Sequence, residues 1–155
     1  MAQTTVERTS DRVLTVTRTF NAPARIVFEA WTRPELMQRW WAPKSFGVTM
    51  LSCEVDARTG GGYKIVMSHP AAPGPMEFFG EYLEVTPVSK LVWTNEENGE
   101  AGAVTTVTFA ETDGVTTLVL SDLYPSKEAL DEAIASQATS GFGEQFEQLD
   151  ALLAA

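Results

Sequence analysis

The 155-residue sequence predicts one α+β domain: a seven-stranded antiparallel sheet wrapped around a long C-terminal helix, with two short helices between the first and second strands. Two observations carry this expectation. Apolar residues alternate with polar ones at a period of two through most of residues 46–122, interrupted by turn chemistry. They then recur at helical spacing from Leu130 to Leu153. A long amphipathic helix must bury its apolar face, and the sheet is the only surface large enough to receive it.

Taken in order, residues 1–11 are polar and read as flexible. Val13–Phe20 (VLTVTRTF) is rich in β-branched residues and reads as a strand. Asn21-Ala22-Pro23 ends it. Pro23 suits a first helical turn, and Ile26, Val27, Ala30 and Trp31 follow at helical spacing. Thr32-Arg33-Pro34-Glu35 has the Thr-x-x-Glu form of a capping box, which predicts a second short helix carrying Leu36, Met37, Trp40 and Trp41. Six strands are then expected at about 46–56, 62–69, 76–86, 89–95, 102–110 and 115–122. The breaks are Thr59-Gly60-Gly61, Pro87-Val88-Ser89 and Thr112-Asp113-Gly114. Strands joined this tightly make an antiparallel meander. Ser126 is placed to cap the last helix, expected over about 126–153. Gly141 and Gly143 lie inside that run and each costs roughly 1 kcal/mol against Ala. The helix therefore bends there, or something approaches it closely.

The length fits a single domain over residues 1–155. The net charge of −10, from 21 acidic and 11 basic residues, disfavours nucleic acid and anionic membrane surfaces as partners. No apolar run approaches the roughly 18 residues that span a bilayer, and MAQTTVERTSDR has no signal-peptide character, so the expected location is cytoplasmic. Cys53 and His69 are the only cysteine and the only histidine. An internal disulfide is impossible, and zinc sites, Ser-His-Asp triads and Cys-His dyads are weakened. No metal, nucleotide or redox cofactor is expected. The sequence leaves a homodimer open.

At this point the chain resembles the helix-grip fold of the START and birch-pollen-allergen superfamily (SRPBCC). Within it the chain is most similar to the family named after the activator of the ninety-kilodalton heat-shock protein ATPase. The residues carrying the resemblance are Phe20-Asn21-Ala22-Pro23, Val27-Phe28, Ala30-Trp31-Thr32, Pro34-Glu35, Arg39-Trp40-Trp41 and Pro43. Asp56-Ala57-Arg58 with Gly61-Gly62, Gly80-Glu81-Tyr82 with Glu84, and Pro87 with Leu91-Val92 continue it. Val107-Thr108-Phe109, Gly114, and Gly141 with Leu149 close it. The order and spacing cover about residues 13–153. One departure is Gly141-Phe142, where relatives often carry Gly-Trp. The resemblance implies a helix-grip domain with a pocket for a small apolar or amphipathic molecule between sheet and last helix. It also implies two alternatives: an enzyme of cyclase or hydrolase type on the same scaffold, and a co-chaperone-like interaction domain with a role in stress response. A chaperone partner has no residue of its own in its favour.

Alternation points Tyr63, Ile65 and Met67 inward, and likewise Val107 with Phe109 and Leu118 with Leu120; Phe142, Phe146 and Leu149 share one face of the last helix. These residues form either a solid core or the wall of a pocket. Trp31, Trp40, Trp41 and Trp93 are large for solid packing and join them as lining or cap, with Phe79 and Glu81 from the 76–86 strand. Glu81 and Glu84 point opposite ways, so they form no carboxylate pair, and whichever faced inward would be a buried acid. An enzyme would draw on Glu81, Tyr63 or Tyr82, but no nucleophile–base pair is readable, and an enzyme is the less favoured reading. Cys53 reads as a small buried hydrophobe, His69 as an exposed loop residue, and Asp56–Gly62 as a hairpin turn with Asp56 and Arg58 paired. In a meander the long connections share one end of the sheet. A pocket mouth is therefore expected among Trp41, Pro43, His69, Pro73, Asn98 and Tyr124. Glu96, Glu97 and Glu100 would make its rim acidic, favouring neutral or cationic ligands over anions.

Overall fold

Alternation of apolar and polar side chains builds a single sheet, seen in a computed structural model that describes residues 4–42, 44–71, 73–97, 100–135 and 142–154. Its strands are β1 (Thr5–Arg8), β2 (Val13–Phe20), β3 (Thr49–Val55), β4 (Gly62–Ser68), β5 (Met76–Thr86), β6 (Lys90–Glu97), β7 (Glu100–Thr112) and β8 (Val115–Leu123). They lie in the order β1-β2-β8-β7-β6-β5-β4-β3, every neighbour antiparallel. The sheet thus has eight strands, not seven. The additional one, β1, falls in the segment expected to be flexible. It satisfies the outer backbone edge of β2, yet all four of its side chains are exposed, so it leaves no hydrophobic period to read.

Short turns connect the meander at one end. Asp113 and Gly114 both take positive φ (53° and 79°), the two-residue hairpin form that Asp-Gly favours. Arg58 Nε pairs with Asp56 Oδ2 at 2.9 Å in the turn between β3 and β4. Gly80 is required by close approach: a Cβ there would lie 1.9 Å from Thr94 O and 2.9 Å from the ring of Tyr63.

Two short helices, α1 (Ala24–Thr32) and α2 (Pro34–Met37), follow β2. Pro23 cannot cap α1 with its side chain; instead Ala24 N donates to Glu111 Oε1 on β7 at 2.8 Å. The expected capping box does not form. Thr32 Oγ1 donates back to Phe28 O at 3.0 Å, and Glu35 pairs with Arg33. The back-bond inside α1 wins because Thr32 is still the last residue of that helix.

The C-terminal region is helical over both of its described stretches, α3 (Lys127–Ala135) and α4 (Phe142–Ala154); residues 136–141, including the Gly141 of the expected bend, lie outside the described residues. Ser126 does cap α3, its Oγ accepting from Ala129 N at 3.0 Å. Leu130 is the buried residue of α3, while α4 buries Phe146 and Leu149.

The main core joins the concave face of the sheet (Val16, Phe20, Tyr82, Leu91, Trp93, Val107, Phe109, Leu118, Leu120) to α1 and α4. Arg18 is buried in this face as well; it reaches Asp150 of α4 at 3.3 Å and its guanidinium lies 5.1 Å from the Phe20 ring centre. A second, smaller cluster holds Met37, Cys53 and Ile65, with Met67 packed against it.

Candidate functional site

Trp31, on the buried face of α1, is the hub of the aromatic packing. Its ring centre lies 4.8 Å from that of Trp40, 5.9 Å from Trp93, 6.0 Å from Trp41, 6.1 Å from Phe146 and 6.3 Å from Phe109. Most of these pairs are edge-to-face, the arrangement that sets ring edges against ring faces. Beside this cluster the packing opens into a partly enclosed cavity of about 200 Å³ between sheet and α4. Trp31, Trp40, Trp41, Trp93, Leu120, Phe142 and Phe146 form its apolar wall, and Asn95, Thr105, Asp122 and Gln145 its polar wall.

The polar wall is built by strand parity. Asn95, Thr105 and Asp122 come from β6, β7 and β8, and Thr105 is the register partner of Asp122. The Thr105 hydroxyl donates to Asp122 Oδ1 at 2.5 Å. Asn95 Nδ2 donates to Thr105 Oγ1 and to Ala103 O, both at 2.8 Å. Tyr63 OH reaches Thr94 O at 2.8 Å and Asn95 Oδ1 at 3.3 Å, so the chain of hydrogen bonds runs from β4 to β8. Burial pushes the Asp122 carboxyl up to about 6, against the Thr105 hydrogen bond, which lowers it. Burial also pushes the Tyr124 phenol up to about 12, helped by the charge of Asp122. Among the described residues Asp122 forms no ion pair. Trp31 Nε1 is buried without a hydrogen-bond partner, whereas Trp40 Nε1 donates to Ala30 O at 2.9 Å.

The segment that closes this end is held by α4. Gln145 Nε2 donates to Trp41 O; Gln148 Nε2 donates to Trp40 O and Ala42 O, and its Oε1 accepts from Lys44 N. Glu144 accepts from Ser45 N and from the Ser45 hydroxyl, which holds its carboxyl below the usual range.

Of the residues singled out from sequence, Trp31, Trp40, Trp41, Trp93, Phe142 and Phe146 meet around the cavity. Phe109 and Leu118 are buried in the solid part of the core. Ile65 and Met67 belong to the second cluster, and Tyr63 stands between the two. Phe79 and Glu81 are exposed and alternate with inward-facing Phe78, Gly80 and Tyr82, so they point away from the interior. Glu84 is half-buried and pairs with Lys90, so neither glutamate is the buried acid considered above. That acid is Asp122. Leu120, expected inward with Leu118, also lines the cavity, whereas Asn95, Thr105, Asp122 and Gln145 were not singled out. Parity was the available signal: Leu118, Leu120 and Asp122 are spaced by two, as are Thr105, Val107 and Phe109. Of the expected mouth residues that are described, only Trp41 lines the cavity, while His69 accepts from Ala71 N through Nδ1 in its own loop. Pro43, Asn98 and the side chains of Glu96, Glu97 and Glu100 lie outside the described residues. Cys53 is buried, which pushes its thiol up to about 11. Among the described residues no three His, Cys, Asp or Glu side chains come together to hold a metal, and no helix is long and apolar enough to cross a membrane.

Comparison with known proteins bears on the whole chain. The sequence profile of the family described as Activator of Hsp90 ATPase homolog 1-like protein matches residues 21–154. A solved protein from Rhodobacter sphaeroides is similar over 98% of each chain, at 24% identity and a TM-score of 0.87. Protein Ms6760 from Mycobacterium smegmatis is 25% identical over 97% of this chain and 98% of its own, with a TM-score of 0.82. An AHSA1-like protein from Aeromonas hydrophila is 20% identical over 89% of this chain and 94% of its own, with a TM-score of 0.65. No curated protein matches the chain.

Proposed function

The chain belongs to the activator of Hsp90 ATPase homolog 1-like family of the SRPBCC superfamily, and from that premise we propose that it binds one small, largely apolar molecule in the cavity between the sheet and α4. The observation that carries this reading is a void in the core beside an unpartnered buried donor and a buried carboxyl. Folded proteins pack their interiors densely and leave few buried donors unpaired. Here a cavity of about 200 Å³ is lined by Trp31, whose buried Nε1 has no partner, and by Asp122, a buried carboxyl with no ion pair among the described residues. A 150 Å³ apolar cavity is known to hold benzene, so this one suits a single ring or a branched chain of similar bulk. The ring-rich wall supplies area and the polar wall supplies orientation, the usual division of labour in small-molecule sites.

The test fills the space. Leu120→Phe puts a ring into the cavity from β8, and uptake of an apolar fluorescent dye should fall at least tenfold while the circular dichroism spectrum and urea midpoint are kept. Phe142→Ala enlarges the cavity instead and should change uptake with a stability cost well below the roughly 3–5 kcal/mol of a filled-core Phe→Ala change. Native mass spectrometry of the freshly purified protein should show a retained small molecule. Dye uptake unaffected by both substitutions, with no retained molecule, defeats the reading.

A further inference from the structure

The polar wall of the cavity carries an inference about ligand charge, which rests on the reading that the cavity binds a ligand: we infer that the ligand is a small organic amine that places its protonated nitrogen against Asp122 and its apolar body among the tryptophan and phenylalanine rings.

The argument starts from which hydrogen-bonding groups are already used. The single hydroxyl hydrogen of Thr105 goes to Asp122 Oδ1. Both amide hydrogens of Asn95 are spent, on Ala103 O and Thr105 Oγ1. Gln145 gives one amide hydrogen to Trp41 O. What the polar wall still presents is mainly acceptor: the second oxygen of Asp122 and the carbonyl oxygen of Gln145. Among the described residues no Lys, Arg or His lines the cavity. A buried carboxylate without a cation is costly, and it is normally paired. An ammonium ion supplies both the missing charge and the missing donors.

The apolar wall points the same way. Six of the lining residues are aromatic, four of them tryptophan. Ring faces carry the negative end of the aromatic quadrupole and attract cations, tryptophan most strongly. A carboxylate-bearing ligand would meet Asp122 with no counter-charge in the wall. A neutral alcohol could bond Asp122 but would leave its charge uncompensated. The unpartnered Trp31 Nε1 adds one donor, which suits a hydroxyl or ether oxygen on the body of the amine. The net charge of −10 further favours approach of a cation over an anion.

The test uses three probes of matched size on the full chain at pH 8: phenethylamine, 2-phenylethanol and 3-phenylpropanoate. Binding is read by calorimetry and by tryptophan fluorescence. The amine should bind at least tenfold tighter than the alcohol, as a charge-assisted hydrogen bond in a buried site implies, and the propanoate weakest of the three. In Asp122→Asn, which keeps the shape and an acceptor for Thr105, the amine should lose that advantage while the alcohol changes less than threefold. The comparison within the unsubstituted protein stands even where the variant fails to fold. Equal binding of amine and alcohol, or an amine preference that survives Asp122→Asn, overturns the inference and leaves a neutral-ligand site intact. Failure of all three probes, together with dye uptake that Leu120→Phe does not alter, overturns the site itself.

Discussion

Asp122 faces the interior because β8 alternates: Thr116, Leu118, Leu120 and Asp122 all lie on the buried face. Its carboxyl rises from 3.8 to about 6 on burial, so the folded protein holds that proton more tightly than the unfolded chain does. Below pH 4 both states are protonated and there is no penalty. Between about pH 4 and 6 the unfolded chain ionises first, and stability falls as pH rises. Above pH 6 the penalty is complete, on the order of 3 kcal/mol. Asp122→Asn removes this dependence. Relative to the unsubstituted protein, the variant should gain stability between pH 4.5 and pH 7.5, read from urea midpoints at both. A difference between the two proteins that does not change with pH would contradict a buried, titrating carboxyl. Other residues with shifted values, such as Asp131 and Glu144, titrate alike in both proteins and cancel from the comparison. The inward direction of Asp122 was legible in its spacing from Leu118 and Leu120. The void beside it was not, because a tryptophan such as Trp31 has the same sequence signature in a solid core and in a cavity wall.

At the scale of elements, the first turns of α4 act as a clamp on the segment that follows α2. Gln148 alone satisfies three backbone groups, accepting from Lys44 N and donating to Trp40 O and Ala42 O, each at 2.9 Å. Gln148→Ala leaves those groups to find water or stay unpaired. It should cost about 1–3 kcal/mol and increase proteolytic cleavage between Trp40 and Phe46. Cleavage and urea midpoint both unchanged would show that the segment is held by its tryptophans alone. No pattern in the sequence announces this clamp, since glutamines on an exposed helix face ordinarily only solubilise it. The strands were legible for the opposite reason. A one-sided sheet imposes alternation, and β2 and β8 repeat it without a break in the burial pattern from residue to residue. The last helix was legible because its apolar residues keep a helical count, although Ile134, one of those counted, is 40% exposed.

For the whole molecule, the order of elements fixed the architecture: a meander of six strands, an earlier strand added at its end, and a final helix laid across the concave face. The edge strand β1 was beyond that logic, because it contributes backbone hydrogen bonds and no buried side chain. Removing residues 1–10 should therefore preserve cooperative unfolding while lowering the urea midpoint. It also frees the outer edge of β2, and an unprotected edge pairs with other chains. Light scattering should show greater self-association than in the full chain. Loss of cooperative unfolding would mean that β1 and the contact of Arg8 with Asp131 organise more than an edge.

The pairing of β2 with β8 has a consequence for how the protein is made. Phe20 is registered with Thr116, about a hundred residues later, whereas β3 to β8 each pair with a strand adjacent in sequence. On a ribosome adding about 5–20 residues per second, β1 and β2 leave the tunnel and wait roughly 5–20 s for the strand that completes them. Throughout that interval Val16 and Phe20, both fully buried at the end, lack Leu120, the register partner of Val16, and Phe146, the ring that packs on Phe20. The β1–β2 hairpin is thus made long before the strand that shelters it, which makes it a stretch of nascent chain exposed to misassociation until β8 emerges.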